Sequence, residues 1–169
     1  MADKYLYNNA GVITERELTV TSAGAGNAGD GVALDGTGHL DATVMPTGIA
    51  ADTNTVETTE DIADGSFVNV YASTGAKCRK ADATTAGKVA TGYVKATTTS
   101  GQNAVVYPLS TTNDHRTGLT AGEIYFLNTT AGGVTVTAPS SSGNVVQRIG
   151  VATSTTAIAT EVQPAIVLA

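Results

Sequence analysis

The chain has 169 residues, a formal net charge of −6, 14% charged and 5% aromatic residues, and no Trp. That length is one domain, or one domain with an arm, and it can bury a core. The acidic balance excludes a protein that tracks phosphates with clustered Lys and Arg, and no apolar run approaches the ~20 residues of a membrane helix. Gly, Ala and Thr dominate, and strong surface helix formers are scarce. Thr and Val favour strands while Gly punctuates turns, so the composition predicts an all-β protein of short strands.

The start, Met1-Ala2-Asp3-Lys4, lacks the basic and apolar stretches of a signal peptide, and synthesis in a host cytoplasm is expected. Residues 1–64 hold eleven acidic residues against Lys4 and Arg16, a balance of −9. Residues 65–169 hold four acidic against seven basic, a balance of +3. Residues 1–62 are therefore predicted as an extended N-terminal arm or subdomain. Brief strands are expected at 17–21 and 31–34, and turns at Asp30-Gly31, Asp35-Gly36, Pro46 and Gly48. Such a segment gains order against a partner. Tyr5 and Tyr7 are candidate anchors at a protein interface; the alternative is that they pack back on their own domain.

Two patterns in this stretch invite a ligand. Gly24-Ala25-Gly26-Asn27-Ala28-Gly29 has dinucleotide-loop spacing, but a helix must follow it, and Asp30-Gly31-Val32-Ala33-Leu34-Asp35-Gly36 is no helix. Asp30, Asp35 and Asp41 in a Gly-rich loop suggest calcium, yet they lack the alternating ligands and closing Glu of a calcium loop. They read as turn aspartates.

Residues 63–169 are predicted as the β-domain, with strands at 67–71, 88–94, 104–109, 124–127, 134–137, 145–151 and 158–162. An internal echo divides it. Asp64-Gly65-Ser66-Phe67 with Thr74-Gly75 aligns with Ala121-Gly122-Glu123-Ile124 with Ala131-Gly132. Gly92-Tyr93-Val94 aligns with Gly150-Val151-Ala152, and Val106-Tyr107-Pro108 with Val162-Gln163-Pro164. The predicted fold is an all-β barrel or sandwich of two similar β-units, about 63–110 and 119–166, packed about a pseudo-twofold, with the extended arm in front.

Catalytic, cofactor and metal sites are all assigned as none. His39, His115 and the lone Cys78 do not make a zinc spacing. Asn113-Asp114-His115-Arg116 offers an acid–base pair and Ser140-Ser141-Ser142 offers hydroxyls, without the context of a nucleophile elbow. Cys78 lies among Lys77, Arg79 and Lys80, which could favour its thiolate; an incidental thiol is the simpler reading. Lys77 and Arg79 alternate, so on a strand they share one face. That face is a candidate for meeting acidic protein surface, including the arm of a neighbouring copy.

The stretch Ala33-Leu34-Asp35-Gly36-Thr37-Gly38-His39-Leu40-Asp41-Ala42-Thr43-Val44-Met45-Pro46-Thr47-Gly48 resembles a linker in structural proteins of tailed bacteriophages. Gly87-Lys88-Val89-Ala90-Thr91-Gly92-Tyr93-Val94 and Gly118-Leu119-Thr120-Ala121-Gly122-Glu123-Ile124-Tyr125-Phe126-Leu127 resemble the β-domain of phage capsid decoration (cement) and head-fibre proteins. The resemblance covers roughly residues 30–169. It implies a non-enzymatic virion protein on the outer capsid surface, often trimeric, that stabilises the shell. The implied partners are the major capsid protein and its own copies, with no nucleic acid, membrane or small-molecule substrate. The alternatives are a tail or fibre component and, from another class, a carbohydrate-binding module or an enzyme.

Overall fold

A computed structural model of the chain describes residues 3–45 and 52–169, and these fall into two units, 1–51 and 52–169. The expected turn signals Pro46 and Gly48 lie outside the described residues. In the first unit, β1 (Lys4–Asn9) and β2 (Val12–Glu17) form an antiparallel hairpin. The two residues between them, Ala10 and Gly11, both have positive φ, which two-residue hairpin turns require. Asn8 caps the turn by accepting from the Gly11 N–H at 2.8 Å. Of the strands expected at 17–21 and 31–34, one parallel bridge forms, Thr19 to Val32. The polar side chains around it bond locally instead of extending the ladder.

The second unit begins inside the expected arm. β3 (Asn54–Thr58) and Ile62 belong to it, so the division lies between Ala51 and Asp52 and not at residue 62. β3 joins β4 (Phe67–Ser73), β5 (Gly75–Lys80), β6 (Gly92–Val94) and β7 (Asn103–Pro108) in a closed barrel of order β3-β5-β4-β6-β7. Closure comes from β3, which runs parallel to β5 and antiparallel to β7. The strand expected at 88–94 is shorter, because residues Ala86–Lys88 form a 3-10 turn that leads into β6.

A second sheet follows: β8 (Thr112–Asn113), β9 (Ile124–Leu127), β10 (Val134–Thr135), β12 (Arg148–Ala152) and β13 (Ile158–Thr160), in the order β10-β9-β12-β13-β8. A short pair, β11 (Val145–Val146) with β14 (Ile166–Val167), completes the unit.

The two sheets are copies of one motif. The barrel order β5-β4-β6-β7 recurs as β10-β9-β12-β13, and β8 flanks β13 as β3 flanks β7. Registers recur as well. Phe67 opposite Tyr93 and Val68 opposite Gly92 reappear as Ile124 opposite Val151 and Tyr125 opposite Gly150. Loop bonds match: Gly65 N–H to Val94 O at 3.0 Å has its counterpart in Gly122 N–H to Ala152 O at 2.8 Å. Ile62 N–H to Thr98 O at 2.8 Å has its counterpart in Leu119 N–H to Thr155 O at 3.1 Å. Gly92 and Gly150 are both places where a neighbouring strand passes too close for a Cβ; the nearest atoms are Tyr107 O at 2.5 Å and Ala159 O at 2.0 Å. The last correspondence differs from the sequence alignment. Tyr107 and Val106 match Ala159 and Ile158, not Gln163 and Val162, because the connection before β13 is shorter than that before β7. The second sheet stays open because β8 and β10 are two residues each and do not meet.

Strand alternation then divides the core. Val56, Ile62, Val68, Cys78, Val94, Ala104 and Val106 fill the barrel. Phe67 and Tyr93 face outward from it and pack with Leu119, Tyr125, Leu127, Ile149 and Ile158 of the second repeat. A pseudo-twofold would bury equivalent faces alike. Instead Phe67 is 0% exposed while its counterpart Ile124 is 42% exposed. The outer face of the first repeat packs against the face of the second that carries Tyr125, Leu127 and Ile158, the counterpart of the barrel interior, so the contact is head-to-tail.

Candidate interaction surfaces

In the first unit no described residue is fully buried. Alternation puts Lys4, Leu6, Asn8, Ile13, Glu15 and Glu17 on one face of the hairpin. Leu6 is 74% and Ile13 60% exposed on that face, beside the Lys4–Glu15 ion pair at 2.9 Å. The other face carries Tyr5 and Tyr7. The Tyr5 hydroxyl donates to Gly29 O and accepts from Gly31 N–H, both at 3.3 Å, so Tyr5 packs back on its own unit. Tyr7 is exposed, with the Arg16 guanidinium 5.3 Å from its ring centre. The apolar pair Leu6 and Ile13 was not singled out in the sequence. Their spacing across the Ala10-Gly11 turn was the available signal.

The Gly24–Asn27 segment is a 3-10 turn, too short to aim a helix terminus at a phosphate. The three loop aspartates each close a local turn. Asp35 accepts from Thr37 N–H at 2.8 Å, Thr37 Oγ1 at 2.7 Å and His39 N–H at 3.0 Å. These bonds, that from the Thr37 hydroxyl foremost, lower its pKa to about 2. Asp41 bonds Thr43 in the same way. Asp30 accepts from Asn27 at 2.9 Å and pairs with Arg16 at 2.5 Å. Their oxygens are turned to local donors. Among the described residues no group of three His, Cys, Asp or Glu is placed to hold a metal ion.

Lys77 and Arg79 do share one face of β5, with Cys78 turned into the barrel between them. Both are already engaged within the chain. Lys77 pairs with Glu57 at 2.5 Å across the β3–β5 ladder. Arg79 donates to Asn69 Oδ1 at 3.0 Å and Gly87 O at 2.6 Å, and lies 4.1 Å from the Tyr71 ring centre. Lys80 pairs with Glu60 at 3.2 Å. This saturation weakens the expectation that they meet an acidic arm. Cys78 is buried, and that burial, with Glu60 adding a smaller effect, pushes its pKa up to about 11. The basic neighbours therefore do not make it a reactive thiolate.

The polar stretch after β7 is partly structural. Asn113 is fully buried and donates to Gly65 O at 3.0 Å. His115 Nδ1 lies 2.8 Å from Asp64, and Asp114 pairs with Lys95 at 2.7 Å. Arg116 donates to Gly65 O at 3.1 Å and Gly132 O at 3.4 Å, so it ties the two repeats together. Ser140, Ser141 and Ser142 stand in the loop between β10 and β11 and make no hydrogen bond to His115. Beside Lys95 a groove of about 480 Å³ is lined by Thr97, Gln102, Asn103, Val105 and Tyr107. Comparison with protein-family models, with curated proteins and with solved structures gives no match to this chain.

Proposed function

We propose that the chain is a structural clip, a capsid decoration or cement protein. It binds the outer surface of a tailed-phage shell through its first unit and associates with its own copies, as a homotrimer. One observation carries the reading. The first unit is built, with a closed hairpin and capped turns, yet none of its described residues is buried and it holds out Leu6 and Ile13. A lone two-stranded hairpin is marginal in water, and a covering surface stabilises it. A shell offers that surface many times over, so weak single contacts sum to tight attachment.

The experiment is co-sedimentation of the purified full chain with empty shells. Replacing Leu6 and Ile13 together by Ser is expected to weaken shell binding at least tenfold and to leave the second unit's unfolding unchanged. Undiminished binding of that variant would overturn the proposed role of the first unit. A tail or fibre component would use the same surface on a different partner: the unaltered chain would co-sediment with isolated tails and not with shells, and the same variant would lose that binding.

A carbohydrate-binding module has one observation in its favour, the groove beside Lys95. It pairs an aromatic ring, Tyr107, with amide side chains, Gln102 and Asn103. The Tyr107 ring is stacked on Tyr93 at 5.6 Å and has Lys95 5.2 Å from its centre, which reduces the ring surface left for a sugar. Retention on a glycan array, lost in Tyr107→Ala, would favour this reading over the clip.

A further inference from the structure

The repeat plan accounts for every strand of the second unit except the pair β11 and β14. Gly92 matches Gly150, so the first-repeat counterpart of β11 is Gly87-Lys88, which lies in the 3-10 turn and in no ladder. β14 lies beyond β13, the last strand of the second repeat. The pair is therefore an addition to the duplicated core, and only one of its strands is anchored there. In β11, Val145 is fully buried and its N–H donates to Ala83 O at 2.8 Å. Gln147, the next residue after β11, is bonded to the Ala90 backbone at 2.8 and 2.9 Å.

β14 rests on that anchored strand alone. The ladder has two pairs, Val145 with Val167 and Val146 with Ile166. Leu168 N–H to Asn144 O and Gly143 N–H to Leu168 O, both at 2.9 Å, extend it. The Glu161 N–H donates to Ile149 O at 2.8 Å; from Val162 to Ala165 no backbone group bonds to the rest of the chain among the described residues. Residues 162–167 are all exposed, and Pro164 has no N–H to give. Val162, Ile166 and Val167, at 72%, 63% and 55%, are the three most exposed large apolar side chains of residues 52–169. No charged side chain follows Glu161. Edge strands that stay unpaired are blunted by charge, by a bulge or by cover. This one is apolar, bare and on a tether, which is the form of a strand that pairs with another chain.

We infer that β14 is an exchangeable strand, and that its acceptor is β11 of a second copy of this chain. The ladder within one chain shows that β11 takes β14 in register, and every copy carries the same β11. Exchange replaces each ladder bond by an identical one, so it costs no backbone pairing. It gains cover for the tether. Within one chain residues 162–165 cross water; between two chains Val162 and Ile166 meet a second surface. Every chain gives one strand and takes one, so the exchange closes as a ring, and the homotrimer proposed above is such a ring. The inference rests on that reading only in taking self-association as part of the function.

The test uses the purified full chain with no shell present, so it is independent of shell binding. Val146→Cys and Ile166→Cys place thiols at opposed positions of the two strands. The two single variants are mixed at a dilution where chains dissociate, then concentrated and oxidised, with all remaining thiols, Cys78 included, blocked on denaturation. A disulfide-linked dimer is expected from the mixture and from neither variant alone. In the double variant the link is expected to join chains. In sedimentation velocity the wild type is expected to be an oligomer that dissociates on dilution. A chain lacking residues 162–169 is expected to be monomeric at every concentration, with unchanged circular dichroism. A double variant linked only within its own chain, a mixture without the linked dimer, a wild type monomeric at every concentration, or an oligomer that survives the deletion would each overturn the inference. Shell binding by a double variant closed within its own chain would remove the exchange and keep the clip.

Discussion

Phe67 and Ile124 occupy the same register position in the two repeats, and the account turns on their different surroundings. Phe67→Ala removes a fully buried ring that sits 6.1 Å from Tyr93 and 6.0 Å from the Arg116 guanidinium. The lost transfer energy and the cavity left behind cost about 3–5 kcal/mol. Ile124→Ala removes a side chain already much in water, and costs about 1 kcal/mol or less. The assay is urea unfolding of both variants at a concentration where the wild type is dissociated. In a thermal scan the first change lowers Tm by roughly 10 °C and the second by a few degrees. Equal losses within about 1 kcal/mol would refute the reasoning, because they would mean that both faces are covered alike.

Gly92→Ala and Gly150→Ala each force a Cβ into the carbonyl of a neighbouring strand, and each is expected to cost at least about 2 kcal/mol; a neutral result at either would break the equivalence of the repeats. Gln147 holds the buried Ala90 backbone by both its N–H (2.8 Å) and its O (2.9 Å). Gln147→Leu leaves both unpaired and is expected to lose about 2–4 kcal/mol in urea unfolding. The Asp35 carboxyl has its pKa lowered on folding, so its loop gains stability that is fully present above the ordinary carboxyl value of 3.8 and is lost as pH falls through about 2. The Thr37 and His39 amide resonances should move with a midpoint near the lower value; a midpoint at the higher one contradicts the turn. Native Cys78 is expected to resist a thiol reagent at neutral pH and to react on denaturation; labelling as fast as a free thiol would contradict its place in the barrel.

The strands that were legible are those whose apolar residues are bulky. Phe67-Val68-Asn69-Val70-Tyr71 and Ile124-Tyr125-Phe126-Leu127 announce themselves, and the glycines at 65, 75, 122 and 132 mark the same turns in both repeats. β3 offers one buried apolar residue, Val56, and is a strand because two ladders close on it. β5 reads as a basic cluster, and its pairing with β4 and with Glu57 turns that cluster into a barrel wall. The hairpin was missed because Tyr5-Leu6-Tyr7 and Val12-Ile13 are short unbroken apolar runs, with no polar alternation to mark one face of a strand. The head-to-tail packing could not be read from the echo, since repeats predict equivalent surfaces and not which of them is covered. Lys77 and Arg79 looked available because the sequence places no acid beside them, whereas Glu57 arrives from twenty residues away across the sheet.

The central claim, that this is a clip spread over a capsid, is tested most directly by its copy number in purified particles. Quantitative mass spectrometry against the major shell protein gives the ratio. The account predicts a ratio approaching one chain per shell subunit. A ratio of a few per hundred would move the protein to a tail or a single vertex, and absence from the particle would contradict the account outright.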